Sequence, residues 1–356
     1  MKYALIGCGR IAIHHIEAAK NNKLDIVAVC DIASYKMDEK TMHLSHVNKY
    51  IDYKEMLEKE QPELVAIATE SGRHAAIACD CVQAGCHVII EKPLALSIAD
   101  ADKIIKLAQE KNVLVCTCHQ NRFNKSIQYL HAAIEQERFG RLLYGNAHVY
   151  WNRNREYYEQ APWRGTWQQD GGVMMNQSIH NIDLLCWLMG SEIEEVFAYT
   201  DNLLHPFIEA EDLGIALVKF TNGAYGVIEG TTNVYPKNLE ESLCLLGERA
   251  TAKVGGKSVN KIIEWSFADG LDEADYVKKE FSETPPSIYG YGHTPLYADM
   301  IEAIYNGRQP YVNGEAGKKA MEVILAIYQS SATKKPVKLP LLKGATIDFK
   351  DKFKNE

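Results

Sequence analysis

The chain has 356 residues, of which 46% are hydrophobic and 24% charged, and its formal net charge is −8. That length suits two domains and that composition a large packed core, so disorder is not expected. An acidic chain offers no overall field for nucleic acid or an anionic membrane, and no apolar run nears the roughly 18–20 residues that span a bilayer, so neither partner is expected.

The opening Met1-Lys2-Tyr3-Ala4-Leu5-Ile6 is too short for a signal segment and runs into a glycine motif, so it reads as a strand. Up to about residue 120, short apolar runs alternate with helical stretches, the pattern of βαβ units on a parallel sheet. The runs are 3–6, 26–30, 64–68, 87–90 and 113–116, apolar throughout, as strands buried on both faces require. A helix over 97–111 is opened by Ser97 with Asp100 three residues on, close to a capping box.

Beyond residue 120 the texture changes. A helix near 126–137 leads to a strand over 145–151 that places Ala147, Val149 and Trp151 on one face. An aromatic, arginine-rich stretch follows, then a long apolar helix through Leu188. From about 194 to 265 successive antiparallel strands are expected. The clearest pair, 213–220 and 224–231, is joined by Thr221-Asn222-Gly223 with Asn-Gly turn chemistry. Helices near 294–306 and 315–330 close the domain, and the basic tail over 334–338 reads as solvated surface. The expected architecture is an α/β Rossmann domain over 1–120 and an α+β domain over 121–356. Nine cysteines, with C-x-C pairs at Cys79/Cys81 and Cys116/Cys118 and no C-x-x-C, fit reduced thiols in a cytoplasm and no metal site.

Three stretches carry chemistry. Gly7-Cys8-Gly9-Arg10-Ile11-Ala12 is G-x-G-x-x-A between a strand and a helix. Gly7 permits the tight turn, Gly9 lets the backbone approach a pyrophosphate, and Ala12 lets the helix pack on the strand. Asp31 ends the next strand, where a carboxylate accepts ribose hydroxyls and repels a 2′-phosphate, so NAD is expected rather than NADP. The second stretch is Glu91-Lys92-Pro93 at a strand end, where open α/β sheets place ligands. The third runs from Trp163-Arg164-Gly165-Thr166 through Asp170-Gly171-Gly172 to Asn176-Gln177-Ser178-Ile179-His180-Asn181-Ile182-Asp183. On one helix Asn176, His180 and Asp183 share a face, either an acid/base face turned to a cleft or a capped helix with a core histidine.

Together these residues resemble the Gfo/Idh/MocA family of oxidoreductases across nearly the whole chain, in the order G-x-G-x-x-A, strand-end Asp31, Ala68-Thr69 before a helix near His74, Glu91-Lys92-Pro93, then Gly171-Gly172 through His180. The resemblance implies a Rossmann domain followed by a domain with a large, mostly antiparallel open sheet that assembles a homodimer or homotetramer. It implies cofactor contacts from Gly7, Gly9, Arg10, Ile11, Asp31, Thr69, His74, Glu91, Lys92, Trp163 and Arg164. It further implies substrate contacts from Lys92, Arg155, Asn176, Gln177 and His180, with Lys92 orienting a hydroxyl and His180 taking its proton.

Asn176 stands where many members carry Asp. That departure, with Tyr157-Tyr158, 163–167, 175–183 with Trp187, Ala326-Ile327-Tyr328 and Gly292-His293-Thr294-Pro295-Leu296-Tyr297, resembles the branch that oxidises C3 of a UDP-linked N-acetylglucosaminuronate. A neutral amide there binds sugar groups without repelling a uronate, and Arg153, Arg155 and Arg164 could supply countercharge or form surface ion pairs. Asn121 and Arg122 are placed at the domain junction. An NAD-dependent dehydrogenase of a free sugar, glycoside or inositol is the alternative. A non-enzymatic NAD-binding regulator of the same fold is the remote one, opposed by the presence of both Lys92 and His180.

Overall fold

The structure, a computed structural model, describes residues 1–353. The chain forms two compact units, Met1–His119 with His293–Lys318, and Gln120–Gly292 with Lys319–Glu356.

The first unit is built on six strands, β1 (Lys2–Ile6), β2 (Asp25–Cys30), β3 (Asn48–Tyr50), β4 (Leu64–Ile67), β5 (His87–Ile90) and β6 (Val115–Thr117). They are all parallel, in the order β3-β2-β1-β4-β5-β6. Every residue of β4 is buried, as its unbroken apolar run requires. The strand order reverses between β1 and β4, and ligands of open α/β sheets bind at the carboxyl ends of such a pair. The polar edge strand β3 carries no apolar pattern, and sequence reading did not find it. Helix Ile98–Lys111 starts as expected, with Ser97 Oγ accepting from Asp100 N at 3.1 Å.

The segment His293–Lys318, which sequence reading placed with the second domain, folds with the first unit. Helix His293–Asn306 lies on helix Ala12–Asn21, and its Tyr297 hydroxyl bonds His15 Nδ1 at 2.7 Å and the Tyr3 hydroxyl at 2.9 Å. Thr117 N donates to Val312 O at 2.9 Å, which adds the returning chain beside β6. These partners are remote in sequence and leave no local signal.

The second unit carries an eight-stranded sheet of β7 (Leu142–Tyr150), β8 (Ile193–Asp201), β9 (Leu213–Phe220), β10 (Tyr225–Thr231), β11 (Glu240–Gly247), β12 (Ala250–Gly255), β13 (Lys261–Phe267) and β14 (Val337–Lys338). Its order is β13-β12-β11-β7-β10-β9-β8-β14, antiparallel except for the parallel pair β7 and β10. The β9–β10 turn behaves as Asn-Gly chemistry dictates, with Gly223 at φ +87° and Asn222 Oδ1 accepting from Ala224 N at 3.0 Å. One face buries Ala147, Val149, Ala216, Val218, Ile228, Leu243 and Leu245, and helix Ile179–Leu188 packs on β7 and β11. The other face exposes Tyr199, Ile215, Leu217 and Tyr225. The tail over 334–338 is not simply solvated surface, because Val337 is buried and pairs with Val196 as an edge strand. All nine cysteines are free thiols, and among the described residues no helix is long and apolar enough to cross a membrane.

Candidate active site

In the first unit the glycine loop lies where β1, β2 and β4 end. Gly7 N donates to Cys30 O at 2.8 Å, and Gly7 sits at φ +97°. A Cβ there would lie 2.4 Å from Ala68 O, so both the left-handed backbone and the close approach require glycine. A Cβ on Gly9 would meet nothing within 4 Å, which leaves bare backbone for a ligand to approach. Helix Ala12–Asn21 opens with no side-chain cap, so the positive end of its dipole suits an anion. Arg10 is exposed and Ile11 half-buried in the turn between. Asp31 Oδ2 accepts from Cys8 N and Oδ1 from Ala33 N, each at 2.8 Å. The carboxylate is thereby fixed at the end of β2, and each oxygen keeps lone-pair capacity for a ribose hydroxyl. These residues fit a dinucleotide: Gly9 would admit its pyrophosphate and Asp31 would hold its adenosine ribose.

His74 holds two turns of the backbone together. It is buried, with Nδ1 2.8 Å from Pro93 O and Nε2 3.2 Å from Thr69 O, so it brackets the turns after β4 and β5. Burial lowers its pKa and keeps the ring neutral, so it donates to one carbonyl at a time. Thr69 is half-buried beside it.

Glu91 is buried, with Oε1 3.0 Å from His15 Nε2 and Oε2 accepting from Lys92 N at 3.2 Å. Burial alone would raise its carboxyl, but the imidazoles of His15 and His293 outweigh that and hold it well below the usual carboxylate range. From Val88 to Leu96 every residue is buried except Lys92, which is half-exposed.

In the second unit the expected single helix is broken. Val173–Asn176 and Ile179–Leu188 are separate helices, because Ser178 N turns back to Val173 O. The Gly171-Gly172 pair precedes the first. A Cβ on Gly172 would lie 2.0 Å from Glu211 Oε2, and the buried Glu211 accepts from Met174 N at 2.9 Å and from the Tyr328 hydroxyl at 2.8 Å. From Asp170 to Leu185 only Asn176 and His180 are not buried. Asn176 Nδ2 donates to Asp170 Oδ1 at 2.5 Å.

Asp183 does not share their role. It takes a bidentate ion pair from Arg122, at 2.8 and 2.6 Å, with the guanidinium 4.9 Å from the Trp187 ring centroid. Arg122 is therefore a core residue, and Asn121 Nδ2 lies 3.5 Å from the buried Glu241.

The arginines divide into two environments. Arg153 and Arg164 stack on Tyr157 at 4.9 and 4.3 Å, Arg164 also on Trp163 at 4.7 Å, and Gln177 Nε2 reaches the Tyr157 hydroxyl at 3.4 Å. The Nε atoms of Arg153 and Arg164 are buried without a hydrogen-bond partner. Arg155 instead lies on Phe207 and pairs with Glu159 at 3.3 Å, both side chains 60% exposed. Arg153 and Arg164 flank helix Arg155–Glu159 and meet on its Tyr157, an arrangement that residue spacing does not single out.

Residues 1–119 match the profile of an oxidoreductase family with an NAD-binding Rossmann fold, and residues 131–339 match the C-terminal alpha/beta domain of the same Gfo/Idh/MocA family. The chain is 37% identical to the WlbA dehydrogenase of Bordetella pertussis, crystallised with NADH and UDP-GlcNAcA, covering 96% of this chain and 98% of that one at a TM-score of 0.89. It is 28% identical to the myo-inositol 2-dehydrogenase of Thermotoga maritima over 95% of this chain and 98% of that protein. The myo-inositol 2-dehydrogenase of Lactobacillus plantarum shares the fold, with 21% identity, 96% and 99% coverage and a TM-score of 0.80.

Proposed function

The chain belongs to the Gfo/Idh/MocA family of NAD-dependent oxidoreductases, and from that premise we propose that it oxidises C3 of a UDP-linked N-acetylglucosaminuronate to the ketone. The observation that carries the proposal is the full-length likeness to a dehydrogenase crystallised with that class of sugar nucleotide. The arginine cluster supports it, because Arg153 and Arg164 gather two guanidinium groups around Tyr157, a local countercharge for an anionic substrate in an acidic chain.

NAD, when bound, supplies the hydride acceptor. Lys92, the one half-exposed side chain of a buried stretch, donates to the oxygen of the reacting hydroxyl and favours its developing negative charge. His180, which with Asn176 reaches out of its own buried stretch, takes the hydroxyl proton as general base. Asn176, held by Asp170, and Gln177 offer amides to sugar groups. Asp31 would disfavour NADP by repelling its 2′-phosphate, and Trp163 and Arg164 would help to hold the nicotinamide end of the cofactor.

The apolar outer face of β8–β10 supports a homodimer or homotetramer, and nine free thiols support a cytoplasmic setting. The test follows reduced-nicotinamide absorbance after mixing protein and NAD with UDP-N-acetylglucosaminuronate, myo-inositol or free hexoses. Reduction by the nucleotide sugar is expected, with a 3-keto product. Reduction by a free polyol or hexose alone would move the protein to the relatives that act on inositol.

A further inference from the structure

Four side chains of the first unit converge on a buried point that the hydroxyl chemistry does not use. His15 comes from helix Ala12–Asn21, Glu91 follows β5, Cys118 follows β6, and His293 opens helix His293–Asn306. One imidazole nitrogen from each histidine, a Glu91 oxygen and the Cys118 sulfur all lie within 4.8 Å of one another, and all four residues are buried. His15 Nε2 is 3.0 Å and His293 Nε2 3.7 Å from Glu91 Oε1. The longer separation is outside hydrogen-bond reach, and His293 Nε2 is a buried atom with no hydrogen-bond partner in a residue only 4% exposed. Buried nitrogens are rarely left so, and one aimed into a group of donors asks for a further partner.

The donor chemistry selects that partner. Two imidazoles, a carboxylate and a thiol are the ligands of zinc-class ions, whereas calcium and magnesium want several oxygens. Tetrahedral bonds of about 2.0–2.1 Å to nitrogen or oxygen and about 2.3 Å to sulfur separate donors by roughly 3.3–3.6 Å. The two measured separations from Glu91 straddle that range, and the widest spacing in the group closes with side-chain shifts of roughly an ångström.

The surroundings also prepare the ring of His15. Its Nδ1 bonds the Tyr297 hydroxyl at 2.7 Å, and that hydroxyl bonds Tyr3 at 2.9 Å, which leaves Nε2 facing the group. Ligating histidines are oriented in this way through their other nitrogen. No local spacing in the sequence announces the group, because the four donors lie at positions 15, 91, 118 and 293.

We propose that His15, Glu91, Cys118 and His293 bind one zinc-class divalent cation, which ties the Glu91-Lys92 turn to helix Ala12–Asn21 and to the returning segment His293–Lys318. Binding displaces the thiol proton of Cys118 to solvent and leaves the thiolate on the metal. The test uses the full chain without an affinity tag, stripped with a chelator and then equilibrated with Co²⁺ or Zn²⁺ alone. Elemental analysis is expected to find one metal per chain, and the Co²⁺ form to show thiolate-to-metal charge transfer in the near ultraviolet. Cys118→Ser should abolish that band, and His293→Ala should weaken retention at least tenfold, with NAD binding measured in parallel as a control for folding. Failure of the wild-type protein to retain stoichiometric metal, retention without the thiolate band, or retention unchanged in both variants would each overturn the proposal. The wild-type spectrum decides the matter even where a variant does not fold.

Discussion

Replacing Arg122 by alanine tests whether Asp183 serves the core or the chemistry. The two side chains are 8% and 2% exposed and joined by two charge-assisted contacts, 2.6 and 2.8 Å long. Deleting the guanidinium leaves a buried carboxylate with no countercharge, and breaking such a pair costs about 3–5 kcal/mol. With a urea m-value of about 3 kcal/mol per molar, the unfolding midpoint should fall by roughly 1–1.7 M. Removing both charges in Arg122→Met/Asp183→Leu should recover most of that loss, because apolar replacement of a buried pair is often neutral. Urea titrations at one protein concentration, read by tryptophan fluorescence and circular dichroism, measure both, and Trp187 beside Arg122 is a local reporter. A midpoint change in Arg122→Ala below about 0.3 M, equivalent to about 1 kcal/mol at that slope, would refute the reasoning. So would a double variant no more stable than the weaker single one.

Lys92→Ala and His180→Ala should each lower turnover by about 10²–10⁴ while leaving the NAD dissociation constant within about threefold. Steady-state rates and fluorescence titration check this, and unchanged turnover in both would remove them from the chemistry. Asp31→Ser should narrow the preference for NAD over NADP by tenfold or more, read as the ratio of kcat/KM values, and an unchanged ratio would clear the carboxylate of that role. Burial pushes the Glu211 carboxyl from an ordinary 4.5 up to about 7. The folded protein then holds a proton that the unfolded chain has lost, so this contribution is complete below about pH 4.5, declines as pH rises toward about 7 and is gone above it. Its ceiling is about 3 kcal/mol. Melting temperatures at pH 5 and 8 should differ less in Glu211→Gln than in the wild type, and equal differences would contradict the assignment.

What was legible in the sequence was whatever depends on near neighbours. Gly7, Gly9 and Asp31 belong to one turn and two adjacent strands, so spacing alone placed them, and β9–β10 announced itself through Asn222-Gly223. Most of the failures involve distant partners, and the others involve local geometry that periodicity does not encode. Helical periodicity put Asn176, His180 and Asp183 on one face, yet the chain breaks at Gln177-Ser178, and Asp183 turns to Arg122, 61 residues away. In the Gly171-Gly172 pair, Gly171 answers a local need, a backbone at φ +84°, whereas Gly172 makes room for the carboxylate of Glu211, which no local pattern connects to it. Arg155 and Arg153 differ by two positions and end in opposite environments, because only Arg153 lies against Trp151 and Tyr157.

The composition of the first unit also bears on how the protein is made. Its last piece, His293–Lys318, emerges from the ribosome 174 residues after His119 (293 − 119). At roughly 5–20 residues per second that is a delay of about 10–35 s. Throughout it, helix Ala12–Asn21 lacks the helix that covers it, and the Tyr3 hydroxyl and the His15 imidazole lack Tyr297. A nascent chain stalled before Lys318 therefore carries the glycine loop without the support behind it. Firm capture of the dinucleotide is then expected only once Lys318 has been made, and an isolated fragment 1–119 is expected to be a poor stand-in for the finished unit.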